Sequence, residues 1–386
     1  MTSKLICHAG AIHELPKVIA EFEATRVLLV TGRDSYARCG AERAITKGLS
    51  SCELTRFCDF EPNSKLEDVL RGTEIFREVR PDVVVAVGGG TPMDMAKMIN
   101  LFAAQSDPAI DYIEGRSELV AKSVPLIAIP STAGSGSQAT HFSVVYVDRK
   151  KFSVAHASML PEVAIVDPDL LANLPGPVAA SAGLDALNQG IESFWSIHAT
   201  DESKNAAREA VTGAWGALAR SVNDSDEASR LAMARAAHRA GDAINWTKTT
   251  APHAISYPIT SHFGVPHGHA VGLVLPMIFL YNADVTDQDC LHPGGAGMVR
   301  ETLAELATLL GASDVADAVR RYVNLMKEIG LSIDVAGLGI KTSDDLEIIV
   351  RGGFNPQRVN NNPRRLSEEA LRSMLQALLA GEIRGR

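Results

Sequence analysis

"DVVVAVGGGTPMDMAK", residues 82–97, decides the fold. Val83 to Val87 are apolar and mostly β-branched, and they run straight into three glycines. A short apolar run without polar alternation reads as a strand buried on both faces. The pattern then turns helical. Thr91 suits the N-cap, Pro92 the first helical position, and Asp94 can answer as the acid of a capping box. Gly88, Gly89 and Gly90 permit a tight turn that lets backbone N–H groups approach a ligand. The helix N-terminus behind them attracts a phosphate. The stretch is neither G-x-G-x-x-G nor a P-loop ending in G-K-[ST]. Taken alone, it also fits a strand-to-helix turn that binds nothing.

The same form recurs to either side. "TRVLLVTG" (25–32) and "SVPLIAIPSTAGSGS" (123–137) are apolar runs that end in small residues. Amphipathic stretches at 9–23 and 64–79 supply the crossovers that parallel strands require. An open α/β domain over residues 1–175 is expected, with its ligand at the carboxyl ends of the strands. There "PSTAGSGSQAT" (130–140) adds the hydroxyls of Ser131, Thr132, Ser135 and Ser137. Two small-residue loops at one sheet edge suit a long cofactor bearing a pyrophosphate.

The texture changes after "AIVDPDLLANLPGP" (164–177). Long alanine-rich helical stretches follow at 178–199, 201–221 and 226–246, and a second, all-helical domain is expected over 176–386. A chain of 386 residues is long for one core and suits two domains. Its 37 basic against 46 acidic residues give a net charge of −9, which excludes bulk attraction to nucleic acid or an anionic membrane. The start lacks the pattern of a signal peptide, and "VGLVLPMIFLY" (271–281) is too short to span a bilayer. Five cysteines at irregular spacing match neither a zinc knuckle nor a disulfide scaffold, and fit a reducing cytoplasm.

"TAPHAISYPITSHFGVPHGHA" (250–270) holds His253, His262, His267 and His269, four of the chain's 11 histidines. In "AGLDALNQGIESFWS" (182–196), Asp185 and Gln189 stand at i and i+4. On a helix they share a face, about 6 Å apart along the axis. Asp185, Gln189, His253 and His267 form an O,O,N,N set that a divalent first-row metal can use. His262 and His269 read as structural groups or partners of the ligands. Each candidate also has a plainer reading: a helix cap, a polar helix residue, or a hydrogen-bonded core histidine.

Five ordered stretches carry a resemblance: "VVVAVGGGTPMDMAK", "IAIPSTAGSGSQAT", "AIVDPDLL", "GLDALNQGIESFWS" and "PHAISYPITSHFGVPHGHAVGLVLP". Through them the chain resembles the iron-containing (group III) alcohol dehydrogenases over nearly its full length. The resemblance implies a dehydroquinate synthase-like architecture, with an N-terminal dinucleotide-binding α/β domain and an all-helical C-terminal domain. It implies a cytoplasmic oxidoreductase that interconverts a small aldehyde and its primary alcohol. The cofactors are NAD(H) or NADP(H) and one divalent metal, Fe2+ or Zn2+. Metal ligands fall on Asp185, Gln189, His253 and His267, and catalytic roles on His253, His267 and Tyr257. Cofactor contacts fall on Gly32, Asn63, Gly88, Gly89, Gly90, Asp94, Ser131, Thr132, Ser137 and Lys151. The expected partners are the small substrate and further copies of the chain, with no nucleic acid and no membrane.

Two positions depart from the family pattern. Gln189 stands where a histidine is usual, and Tyr257 where many relatives carry another histidine. A phenol can donate a hydrogen bond or relay a proton, but it is a poor base at neutral pH. Gly32 removes the carboxylate that selects NAD, and Arg33 can pair with a 2′-phosphate, so the cofactor reading leans toward NADP. A narrower likeness, to the phosphonoacetaldehyde reductase subgroup, implies an anionic aldehyde and production of 2-hydroxyethylphosphonate. Lys248, Arg358, Arg364 and Arg365 are the candidate cations. A generic short-chain aldehyde reductase remains open, as does a metal-poor, non-catalytic ligand-binding relative.

Overall fold

A computed structural model of the chain describes residues 3–148 and 150–381. Its strands are β1 (Lys4–Cys7), β2 (Arg26–Thr31), β3 (Glu53–Phe57), β4 (Val83–Gly88), β5 (Leu126–Pro130), β6 (Phe142–Val147), β7 (Lys150–Ala155) and β8 (Val163–Val166). Six of them form one sheet in the order β1-β8-β5-β4-β2-β3, and every pair is parallel. The remaining two, β6 and β7, form a separate antiparallel hairpin, which the sequence pattern did not reveal.

The apolar runs are explained by burial on both faces. Successive side chains alternate between the faces. Val84 and Ala86 pack with Met95, Ile99 and Phe102 on one side. Val83, Val85 and Val87 pack with Leu15, Val18 and Ile45 on the other. All six residues of β4 are buried. From β2 the chain goes outward to β3, then returns to place β4 on the other side of β2. That reversal is a topological switch point, and ligands of open α/β sheets bind outside the strand ends there. Gly32 follows β2, and Gly89 and Gly90 follow β4.

Chain contacts divide the protein into two units. The first runs to Leu174 and also takes Asp226–Gly241. The second comprises Pro175–Ser225 and the chain from Asp242 onward. The helix Glu227–Thr247 therefore supplies residues to both, a return of chain that one boundary at 175/176 does not contain.

The second unit is built on helices, among them Gly176–Trp195, Asp201–Asn223, Ala251–Phe263 and His267–Ala283. Small residues set their spacing. A Cβ on Gly190 would stand 3.2 Å from the Ala210 Cβ and 3.0 Å from a Val211 methyl. A Cβ on Gly268 would stand 1.9 Å from the Ser181 carbonyl oxygen and 2.8 Å from the Asp185 Cβ. Only glycine lets the start of the His267–Ala283 helix lie that close to the Gly176–Trp195 helix. Among the described residues, no helix is long and apolar enough to cross a membrane.

Candidate active site

In the first unit the two small-residue loops meet. Ser131 N donates to Gly88 O at 2.9 Å. Cβ atoms on Gly89 and Gly90 would contact Thr132 and Ser135, at 3.3 and 3.2 Å. Gly88 has φ +152, outside the range of most L residues. The helix here is Gly90–Ala103, with Gly89 at its N-cap and no side-chain cap. Thr91 is therefore not the cap expected from the sequence. Its hydroxyl instead accepts the Asn63 N–H at 3.3 Å, which draws Asn63 to the same place. With no side chain capping that first turn, its N–H groups are the kind a phosphate can use.

Asp94 is engaged within the protein. Its carboxylate accepts from Ser137 Oγ at 2.9 Å and Val144 N at 3.2 Å. One turn on, the buried Lys97 ammonium donates to Thr140 O, Thr140 Oγ1 and Phe142 O at 2.8, 2.9 and 3.0 Å. Burial pushes Lys97 down to about 7, against the pull of Asp94. Burial likewise raises Asp94, while Lys97 and Lys151 oppose the rise. The pair clamps the Ser137–Phe142 segment onto the helix. Sequence reading missed Lys97, although it is the one charged residue in the largely apolar run "MAKMINLF" (95–102).

At the end of β2, the Arg56 guanidinium holds Thr31 Oγ1 and the carbonyls of Gly32 and Arg33, at 2.8 to 3.1 Å. It also lies over the Tyr36 ring. Arg33 pairs with Asp59 at 3.2 Å, both side chains well exposed.

In the second unit, ligand atoms of Asp185, His253 and His267 all lie within 4.8 Å of one another. Asp185 projects from the Gly176–Trp195 helix and His253 from the first turn of Ala251–Phe263. His267 is the first residue of the next helix. His253 Nε2 stands 3.3 Å from Asp185 Oδ1. Gln189, one turn after Asp185, donates its amide to Asp185 Oδ2 at 3.1 Å. The Tyr257 ring stacks on His267, with centroids 6.0 Å apart and planes 26° apart. His262 is exposed, and His269 turns away to the Ser332 carbonyl at 2.6 Å.

Glu192 was not among the sequence candidates. It is fully buried. One carboxylate oxygen meets His253 Nδ1, and the other accepts from Thr250 N and Thr250 Oγ1 at 2.7 and 2.8 Å. The available signal was its position at i+7 from Asp185, on the same helix face as Gln189. Burial alone would push the His253 imidazole down, but Glu192 and Asp185 hold it up at about 10. Burial would raise Asp185, yet His253 and His267 keep it below the ordinary carboxylate value. Two buried carboxylates around two imidazoles form a site that calls for positive charge. One carboxylate and two imidazoles are a donor set of the kind Fe2+ and Zn2+ use.

Residues 2–168 match the family model "Iron-containing alcohol dehydrogenase". Residues 179–379 match that for "Fe-containing alcohol dehydrogenase family, C-terminal". A phosphonoacetaldehyde reductase of Streptomyces viridochromogenes is 35% identical, covering 95% of this chain and 94% of that one. Long-chain-alcohol dehydrogenase 1 of Geobacillus thermodenitrificans is 28% identical, covering 97% and 94%. A crystal structure of sulfoacetaldehyde reductase from Bifidobacterium kashiwanohense in complex with NAD+ superposes with a TM-score of 0.88 at 29% identity, covering 98% and 97%.

Proposed function

Because the chain belongs to the iron-containing alcohol dehydrogenase family, we propose that it interconverts a small anionic aldehyde and its primary alcohol, using NAD(P)H and one divalent metal. The observation that carries the proposal is the convergence of Asp185, His253 and His267. A divalent ion held there supplies Lewis acidity toward the oxygen of the reacting carbon, and a bound nicotinamide gives or takes the hydride.

The chain's own residues have distinct tasks in this reading. Asp185 contributes the negative charge, and the two imidazoles set direction. Gln189 holds Asp185 through its amide N–H, which makes it a positioning group more than a fourth ligand. Tyr257, stacked on His267, holds or passes a proton at its phenol oxygen. Backbone N–H groups at Gly89 and Gly90 would hold the pyrophosphate, and Gly32, Asn63, Ser131 and Thr132 would line the rest of the cofactor. Asp94 acts through Ser137 instead of touching phosphate, since its oxygens are already engaged. Lys151 contributes charge beside it.

Support for an anionic substrate comes from two relatives whose names specify phosphonate- or sulfonate-bearing aldehydes. Of the four candidate cations, Arg364 is committed elsewhere. It pairs with Asp289 at 2.7 Å, donates to Tyr281 O at 2.5 Å and lies over the Tyr281 ring. Lys248 and Arg365 are exposed, and Arg358 is half-buried. Asn361 ties the Arg358 segment to the Lys248 turn by donating to Thr249 O at 2.9 Å. These three are assigned to the anion. The NADP preference rests on Gly32 beside Arg33 and Arg56. A cytoplasmic location and a homo-oligomeric state belong to the same proposal.

The test is steady-state turnover of phosphonoacetaldehyde, sulfoacetaldehyde and propanal with NADPH and with NADH. It is run on protein as isolated, after chelator dialysis, and after return of Zn2+ or Fe2+. Full activity in verified metal-free protein rejects the metal. Propanal turned over as efficiently as both anionic aldehydes rejects the anion site. A strong NADH preference rejects the reading of Gly32.

A further inference from the structure

The geometry points to Glu192 as the residue that fixes the ring tautomer of His253, and thereby makes its Nε2 a metal donor; we infer that metal affinity depends on this buried carboxylate, which never touches the metal. The inference rests on Asp185, His253 and His267 being a metal centre.

A neutral imidazole carries its proton on one nitrogen and its donor lone pair on the other. Which is which is set by the partner of the protonated nitrogen. Here Nδ1 faces a carboxylate oxygen of Glu192, and a ring hydrogen on Nδ1 makes that hydrogen bond. Nε2 faces Asp185 at 3.3 Å, on the side where His267 converges, and its proton is the one a metal ion displaces. The carboxylate is itself held in place. Its second oxygen accepts the Thr250 N–H at 2.7 Å and the Thr250 hydroxyl at 2.8 Å. The indole N–H of Trp195 donates to that hydroxyl oxygen at 3.0 Å, so the hydroxyl hydrogen is turned toward Glu192. Glu192 and Trp195 sit on the helix that carries Asp185. Thr250 caps the helix that carries His253. One chain of donors thus locks both helices and one proton.

A glutamine at 192 cannot reproduce this arrangement. It offers one acceptor oxygen and one NH2 group. With the NH2 toward Thr250, two donors meet. With the NH2 toward His253, Nδ1 must accept and the ring proton moves to Nε2, where it blocks coordination.

The experiment uses full-length protein and Zn2+ as the probe. Zn2+ affinity is measured by competition with a chromophoric chelator for wild type, Glu192→Gln and His267→Ala. In parallel, the histidine rings of Zn2+-loaded wild type are observed by 15N NMR. The expected result is wild-type binding that His267→Ala loses, with Glu192→Gln about 10- to 100-fold weaker than wild type. In wild type, His253 should bind Zn2+ through Nε2 and keep a hydrogen-bonded proton on Nδ1. If wild type binds no more tightly than His267→Ala, the metal centre itself is refuted. If those two differ and folded Glu192→Gln matches wild type, only the role of Glu192 is refuted. Should Glu192→Gln not fold, the wild-type spectrum decides. Coordination through Nδ1 with a proton on Nε2 overturns the inference.

Discussion

Replacing Gly268 by alanine adds one methyl group where the backbones of two ligand-bearing helices lie in close contact. The new Cβ would lie 1.9 Å from Ser181 O and 3.0 Å from Asp185 N, both backbone atoms of one 20-residue helix. Neither atom can rotate away. Ordinary contact begins near 3.4 Å, so the first turn of His267–Ala283 has to retreat by about 1.5 Å. Overpacking of this kind costs about 1–3 kcal/mol, and alanine's better helix propensity returns about 1. A net loss of about 0–2 kcal/mol follows, small enough to leave the protein folded. The effect on the site is larger. His267 adjoins Gly268 and moves with it away from Asp185, whereas metal sites tolerate about 0.2 Å. Zn2+ affinity should fall about 100-fold, the scale set by ångström misplacement of a functional group. Gly272→Ala is the control. Its Cβ would meet the end of the Leu184 side chain at 2.4 Å, a group that can turn aside. It should lose stability with little loss of metal. The assays are urea denaturation and chelator competition. Equal Zn2+ affinity in folded Gly268→Ala and wild type, or equal losses in both variants, refutes the reasoning.

His267→Ala should remove most bound metal and most turnover, and Gln189→Ala much less. Gln189→His should tighten binding where the flat ring fits. Metal content after dialysis and kcat across the series check this, and equal metal loss in the two alanine variants would make Gln189 a full ligand. Gly89→Val places a branched side chain against Thr132, where the unadorned Cβ already comes within 3.3 Å. NAD(P)H binding, followed by fluorescence titration, should weaken tenfold or more, while the unfolding midpoint moves little. Unchanged affinity in the folded variant would remove the first glycine loop from the cofactor site. Asp82 is held well below the usual carboxylate range by Arg26 and by the Arg26 and Thr25 N–H groups. Because the folded value is depressed, its stabilisation is present above the ordinary carboxylate pKa near 4 and is lost as pH falls toward the folded value. Asp82→Asn should therefore cost about 1–2 kcal/mol at pH 7 and less at pH 3. A gap in urea stability as wide at pH 3 as at pH 7 counts against it.

Local pattern carried much of this protein. The run from Val83 to Val87 announces a strand buried on both faces, because an unbroken apolar run leaves no polar face for water. The glycines at 88–90 mark a strand-to-helix turn, because only such residues permit its backbone. Asp185 and Gln189 could be placed on one face, because helical periodicity is a property of neighbouring residues. Ligand types were legible for the same reason, and resemblance supplied their grouping. Tertiary structure decided the partners. Asp94 was read as a cap, yet its carboxylate meets Ser137 and Val144, 43 and 50 residues onward. Arg364 was read as a free cation and is spent on Asp289 and Tyr281. Glu192 looked like any helix acid until Thr250 and His253 were brought beside it. Gly268 gave no sign that a carbonyl lay where its Cβ would be. A backbone turn is shaped by the few residues that make it, so sequence reports it. A buried polar group must find whichever partner chain closure delivers, and that meeting is written in no single stretch of the chain.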